Sequence, residues 1–282
     1  NFKERGVAIL AALVPQDIEL VIIVVDAFLV DVQQYHFCMP MVRRYKNKKM
    51  GKFEFNLLTA YKEVSTPCQG EFRTIFCKQK ERVNFELMPR TQTLFGSSRG
   101  KFKYAAGLTF AVNGFFKGDV FYSVQLGKFF LSDFDQVKDV DRLNPSQLIN
   151  VRSDVVRYYQ QTSFTLDEAY LEKVWNLGKG WYSRIAMGYF EIEYAGTAFE
   201  CLYSPAKSNW AVGIDCAILK KRAYKGWGFT NRVRKLDGFV PHWLPFTGSQ
   251  GFLNIYYNWT CADIELKLSL GKFLANDCGA RF

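Results

Sequence analysis

Large apolar residues at Trp210, Val212, Ile214, Cys216 and Ile218 alternate with small or polar ones at Ala211, Gly213, Asp215 and Ala217. Ile264, Leu266, Leu268 and Leu270 repeat the pattern against Asp263, Glu265, Lys267 and Ser269. Successive side chains of a strand point to opposite faces, so a period of two predicts strands with one greasy and one wet side. Such strands suit a soluble sandwich or a barrel in lipid. The second face holds Asp, Glu, Lys, Ser and Gly, which fits a hydrated lumen better than a second packed layer.

The same period runs through much of the chain. Val83, Phe85 and Leu87 alternate with Asn84, Glu86 and Met88. Phe102, Tyr104, Ala106, Leu108, Phe110 and Val112 face away from Lys101, Lys103, Ala105, Gly107, Thr109 and Asn113. Val120, Tyr122, Val124 and Leu126 oppose Phe121, Ser123, Gln125 and Gly127 across a short turn expected at 113–118. Further strands are expected at 163–175, 181–194, 198–203, 210–220, 251–259 and 262–274, with Phe53, Phe55 and Leu57 opening the series. Short turns between sequential strands imply antiparallel neighbours, the simplest route to a closed barrel. Trp175, Trp181, Tyr203, Trp210 and Trp259 fall near strand ends, as an interfacial girdle or a sandwich core would place them.

Two regions break the pattern. Residues 1–45 predict a small α/β module: a helical run ending at Pro15, a strand from Ile18, a turn near 26–28 and a return through His36. A basic connector follows, with Arg43, Arg44, Lys46, Lys48, Lys49 and Lys52, expected as a solvated loop. Residues 46–282 predict the barrel portion, interrupted at 133–160 by a polar segment that is either a surface loop or one folded inward. There Arg152, Asp154 and Arg157 are expected to fix the segment to the strands.

Composition narrows the choice. Aromatic residues form 17% of the 282, yet the hydrophobic share is only 49%, which favours alternating strands over spanning helices. No run approaches the eighteen or so apolar residues that a membrane helix needs, so a membrane location implies a barrel. Seven scattered Cys without CxxC spacing and two His give poor support to metal or redox chemistry. Cys201 and Cys216 are expected as small apolar strand residues, and Cys68 with Cys77 as a candidate loop-closing disulfide in an oxidising compartment. No convergent set of titratable groups points to catalysis, and no cofactor is expected. The chain begins at Asn1 and stops just after an alternating segment, so it is expected to be a fragment whose closing strands follow.

The formal net charge is +10. Lys220, Lys221, Arg222, Lys225, Arg232, Arg234 and Lys235 are interleaved with Tyr224, Trp227 and Phe229. Cations among aromatics bind nucleic acid, acidic sugars or lipid phosphates, or simply form a solvated hairpin loop. No nucleic-acid motif accompanies the tract, so Lys220, Lys221, Arg222, Lys225, Trp227, Arg232, Arg234 and Lys235 are candidate contacts for polysaccharide or lipopolysaccharide.

LINVRSDVVRYY at 148–159, WYSRIAMGYFEIEYAGTAFECLYSP at 181–205, NWAVGIDCAILKKRAY at 209–224 and ADIELKLSLGKFLANDCGARF at 262–282 resemble the YjbH/GfcD-like family of outer-membrane proteins linked to exopolysaccharide and capsule export. The resemblance covers most of the chain from about Phe53. It implies a mainly β, antiparallel up-and-down transmembrane β-barrel, present here as a fragment of about ten strands behind a small periplasmic α/β module. It further implies outer-membrane lipid, lipopolysaccharide, exopolysaccharide and other export-machinery proteins as partners, and no nucleic acid. The chain departs from the family in its many Cys, Cys278 included. A non-transporting scaffold or glycan-binding β-structure is the alternative, favoured if 133–160 fills the interior.

Overall fold

The computed structural model describes residues 2–27, 30–63, 72–77, 79–95, 102–137, 149, 151–152, 154–160, 164–206, 208–237 and 240–282. The Cys68–Cys77 pairing lies outside these residues, because Cys68 is not among them.

The N-terminal module opens with helix α1 (Phe2–Leu13), which stops before Pro15. β1 (Leu20–Ala27) and β2 (Val30–Cys38) then form the expected hairpin. The basic connector is not a loop. Met39–Lys46 form helix α2, whose early Pro40 costs no intrahelical hydrogen bond. Met39 and Val42 bury one face of α2. The guanidinium of Arg43 donates to the Pro15 carbonyl at 2.7 Å and to that of Gln16 at 3.1 Å, tying α2 to the end of α1.

The strand expected at Phe53, Phe55 and Leu57 is instead helix α3 (Lys52–Leu58). Three alternating residues do not distinguish a strand from a helical turn. Only Phe55 is buried, stacked on Tyr45 with ring centroids 4.5 Å apart, while Phe53 and Leu57 stay exposed. β3 (Ala60–Glu63) pairs antiparallel with β2, so the three-stranded sheet carries the module to Glu63 rather than ending it at 45. Its core gathers Val7, Leu10, Phe37, Met39, Val42, Met50 and Phe55.

The rest of the chain is dominated by one antiparallel ladder. It runs through β4 (Asn84–Leu94), β5 (Lys103–Phe116), β6 (Val120–Ser132), β7 (Thr165–Gly178), β8 (Trp181–Tyr189), β9 (Tyr194–Tyr203) and β10 (Trp210–Arg222). A short helix α4 (Val155–Tyr159) lies between β6 and β7. β11 (Phe229–Thr230) pairs the end of β10, and β12 (Arg232–Asp237) with β13 (Val240–Pro245) forms a separate hairpin. The ladder resumes with β14 (Gly248–Trp259) beside β10, then β15 (Ile264–Lys272) and β16 (Cys278–Arg281). The meander of sequential neighbours is as expected. No pairing between β4 and β16 joins the ladder into a closed barrel among the described residues.

Two boundaries differ from the sequence pattern. β5 continues to Phe116, and the turn is moved to Gly118 and Asp119, at φ +86° and +58°. The run 181–194 breaks after Tyr189, where Phe190 to Glu193 turn back into β9.

The two faces of the ladder are inverted relative to a protein core in water. On one face Phe85 pairs with Val112, Phe110 with Leu126, Leu171 with Met187, Ile185 with Phe199, Ile214 with Leu253 and Leu253 with Leu270. Most of these side chains are exposed, Phe85 at 66% and Ile214 at 57%. The other face buries Thr109, Ser123, Glu172, Asn254 and Ser269. Trp181, Tyr203 and Trp210 meet on the apolar face near one rim, with centroids 4.7 and 5.8 Å apart. Exposing each large apolar side chain to water forgoes about 1.5–3 kcal/mol, so so wide a band calls for an apolar covering.

Candidate functional site

The β7–β8 turn and the β9–β10 and β14–β15 connections share one end of the ladder. At this end the Asn176 side-chain amide donates to the Asp31 carbonyl at 2.8 Å and the Tyr182 hydroxyl to that of Val32 at 3.2 Å, so the α/β module sits here. The opposite end carries the long connections, namely 133–164 between β6 and β7 and 223–247 between β10 and β14.

At that opposite end the segment ahead of β7 folds onto the polar face. Phe134, Val137 and Val156 pack with Ala105 and Phe129, and the Gln160 amide donates to the carbonyls of Phe134 and Val137 at 2.9 and 3.0 Å. The Arg90 guanidinium lies 4.1 Å from the Phe129 ring and 2.8 Å from Asp167. Gly127 makes room for that ion pair, since a Cβ there would overlap both the guanidinium and the carboxylate. From the other side Val233 and Phe246 join Tyr194, Ala217, Leu219 and Leu274 in a second apolar cluster.

Between these clusters is a buried polar knot. Lys221 is an odd-numbered residue of β10, so it points to the polar face, and it is 1% exposed. Its ammonium donates to Asp154 Oδ1 at 2.6 Å and to the Val151 carbonyl at 2.7 Å, and lies 3.5 Å from Glu193 Oε1. The Tyr224 hydroxyl donates to the second Asp154 oxygen at 2.7 Å, and the Tyr194 hydroxyl to the Val151 carbonyl. The Tyr158 hydroxyl donates to the Arg222 carbonyl at 2.6 Å. Arg152 reaches Glu191 at 2.7 Å and Glu193 at 3.4 Å.

The charges explain the titration. Lys221 and Arg152 face three carboxylates, Asp154, Glu191 and Glu193, so one negative charge exceeds what the cations balance. Glu193 is the most enclosed, and burial, against the pull of Lys221, pushes its carboxyl up to about 7. Burial also holds the phenols of Tyr158 and Tyr224 well above the usual tyrosine range, with the Asp154 carboxylate adding to it. The hydrogen bonds to Glu191 raise Arg152 further.

The expected fixing residues divide their work. Arg152 and Asp154 bridge the segment to β9, β10 and the β8–β9 turn, and Arg157 stacks over the Tyr224 ring at 5.4 Å. The basic tract is not one surface. Lys221, Arg222 and Arg234 are buried, whereas Lys220, Lys225, Trp227 and Arg232 are exposed and Lys235 is half-buried. Tyr158 and Tyr194, and the joining of Glu193 to the segment, escaped the sequence pattern. Their partners lie 28 to 64 residues away, and no local spacing marks them.

Further along the polar face a row of charges crosses the strands. Gln125 donates to Glu168 at 2.9 Å, Arg184 lies 3.0 Å from both Glu172 and Glu200, and Asn254 donates to Asp215 at 2.6 Å. Among the described residues no group of His, Cys, Asp and Glu is arranged to hold a metal ion.

Fold and site together define a mainly β, antiparallel protein with one apolar and one charged face and a segment fastened to the charged face at one end of the ladder. The chain belongs to the YjbH family, described as exopolysaccharide biosynthesis protein YbjH, which matches residues 1–282. It is 25% identical over 206 residues to the "Uncharacterized lipoprotein YjbH" of Escherichia coli (strain K12), covering 71% of this chain and 27% of that protein. The chain thus spans about a quarter of that relative's length. No solved structure matches it.

Proposed function

We propose that this chain forms the lipid-facing wall of an outer-membrane β-barrel that assists passage of exopolysaccharide, with residues 134–137 and 154–160 held inside one mouth. The observation that supports it is the inversion of the ladder, apolar on one face and polar on the other over β4–β10, β14 and β15, strands of 9 to 14 residues. A tilted strand crosses the hydrocarbon with about 9–11 residues. Barrels of this kind carry short turns on the periplasmic side and longer loops outside. On this reading the α/β module lies in the periplasm and the polar knot at the outer mouth. The family's exopolysaccharide role and the lipoprotein name of the relative agree with an envelope location.

The packing of Phe134, Val137 and Val156 on the inner face favours a second reading, a glycan-binding scaffold whose interior stays closed. Secretion separates the two. Cells carrying the full-length protein with Lys220, Lys225 and Arg232 changed to Gln secrete less polysaccharide if the exposed cations attract an acidic chain in transit. Normal secretion with weakened membrane integrity contradicts the export role and leaves these residues as lipopolysaccharide anchors.

A further inference from the structure

Beside the knot lies a shallow pocket open to solvent, lined in part by Tyr158, Phe164, Arg222, Tyr224 and Trp227. Its rim is aromatic: Phe164 and Trp227 are each 69% exposed, an unusual state for side chains that large. Trp227 is held in place through its carbonyl, which accepts from the Tyr189 hydroxyl at 2.8 Å.

The pocket also has a cation in need of a partner. Arg222 is 3% exposed, packed over the Tyr189 ring at 4.7 Å, and one of its terminal nitrogens donates to the Glu191 carbonyl at 2.7 Å. Its Nε has no hydrogen-bond partner, and no carboxylate lies within ion-pair distance of the guanidinium among the described residues. A buried guanidinium without an anion is costly, and a planar carboxylate is its natural complement.

We propose that this pocket binds an acidic pyranose unit of a glycan, its ring against Trp227 and Phe164 and its carboxylate turned to Arg222. An aromatic face suits the C–H face of a sugar ring. The site deepens the export reading and rests on it only for the source of the glycan. An exopolysaccharide unit and a lipopolysaccharide core sugar present the same chemistry.

The test is calorimetric titration of the full-length protein in detergent with oligogalacturonate, with neutral maltohexaose as control. Oligogalacturonate is expected to bind at least about tenfold more tightly than maltohexaose, and Trp227→Ala to weaken it about tenfold, the scale of a lost stacking platform. Arg222→Gln should abolish the preference for the acidic chain. Should Arg222→Gln fail to fold, Trp227→Ala at the exposed rim still decides. Equal affinity for the two oligosaccharides, or binding unaffected by Trp227→Ala, overturns the proposal, and so does the absence of binding. Displacement by lipopolysaccharide core oligosaccharide supports the pocket with that source, and lack of displacement supports it with an exopolysaccharide source. Absence of binding by the unsubstituted protein with its membrane insertion intact overturns the pocket alone; failed insertion is a failure of the barrel.

Discussion

The ammonium of Lys221 lies 2.6 Å from Asp154 Oδ1, fastening the C-terminal end of β10 to a segment 67 residues earlier in the chain. Both side chains are almost wholly enclosed, at 1% and 3% exposure. A buried pair adds little to net stability over an apolar pair of the same shape, but removing one member strands the other. The bond therefore acts mainly as a choice of arrangement, holding 151–160 on the polar face.

Asp154→Ala is expected to cost about 3 kcal/mol, the low end of the range for an uncompensated buried charge, because Glu193 remains 3.5 Å from Lys221. Limited proteolysis should show faster cleavage of the 133–160 segment with the ladder intact. The double variant Asp154→Leu with Lys221→Met should recover much of the protection. Unchanged cleavage in Asp154→Ala contradicts the fastening role.

Glu193 gives the fastening a pH dependence. Its carboxyl sits at about 7 in the folded chain against the ordinary 4.5, so between these values the folded state holds a proton that the unfolded state has lost. Stability from this group is therefore greatest below about pH 4.5, falls as pH rises to about 7 and is level above that. Burial sets the size of the fall first, followed by Lys221, Asp154, Arg152 and Glu191, the charged groups facing it. Hydrogen exchange of α4 measured from pH 5 to 8 should quicken beyond the intrinsic pH effect, and Glu193→Gln should remove the excess.

The two faces of the ladder predict opposite tolerance. Leu108→Arg on the apolar face should cost roughly 2–4 kcal/mol if the position is near the bilayer midplane. Gln125→Arg on the polar face should cost little, because Gln125 already faces Glu168 at 2.9 Å. Urea unfolding of both variants from vesicles measures the difference.

The ladder was legible in the sequence because alternation is a local signal. Phe102 to Val112 and Trp210 to Ile218 each declare their faces within a dozen residues. The module's helices were less so. Phe53, Phe55 and Leu57 fit either period, and only the stacking of Phe55 on Tyr45 decides it. In the site, Arg152 and Asp154 stood out as charges in a polar interruption. Their partners did not, because Lys221 looked like part of an exposed basic tract until its register on β10 turned it inward. The β12–β13 hairpin was hidden in the same tract, where Val233 is buried beside a buried Arg234.

Spin labels at 108 and 109 test the central claim most directly. Leu108 is 41% exposed on the apolar face and Thr109 is 7% exposed on the polar one. In vesicles, label 108 should be accessible to oxygen and shielded from a water-soluble relaxation agent, and label 109 should show the reverse preference. The same polarity at both positions would contradict a lipid-facing outside and a hydrated inside.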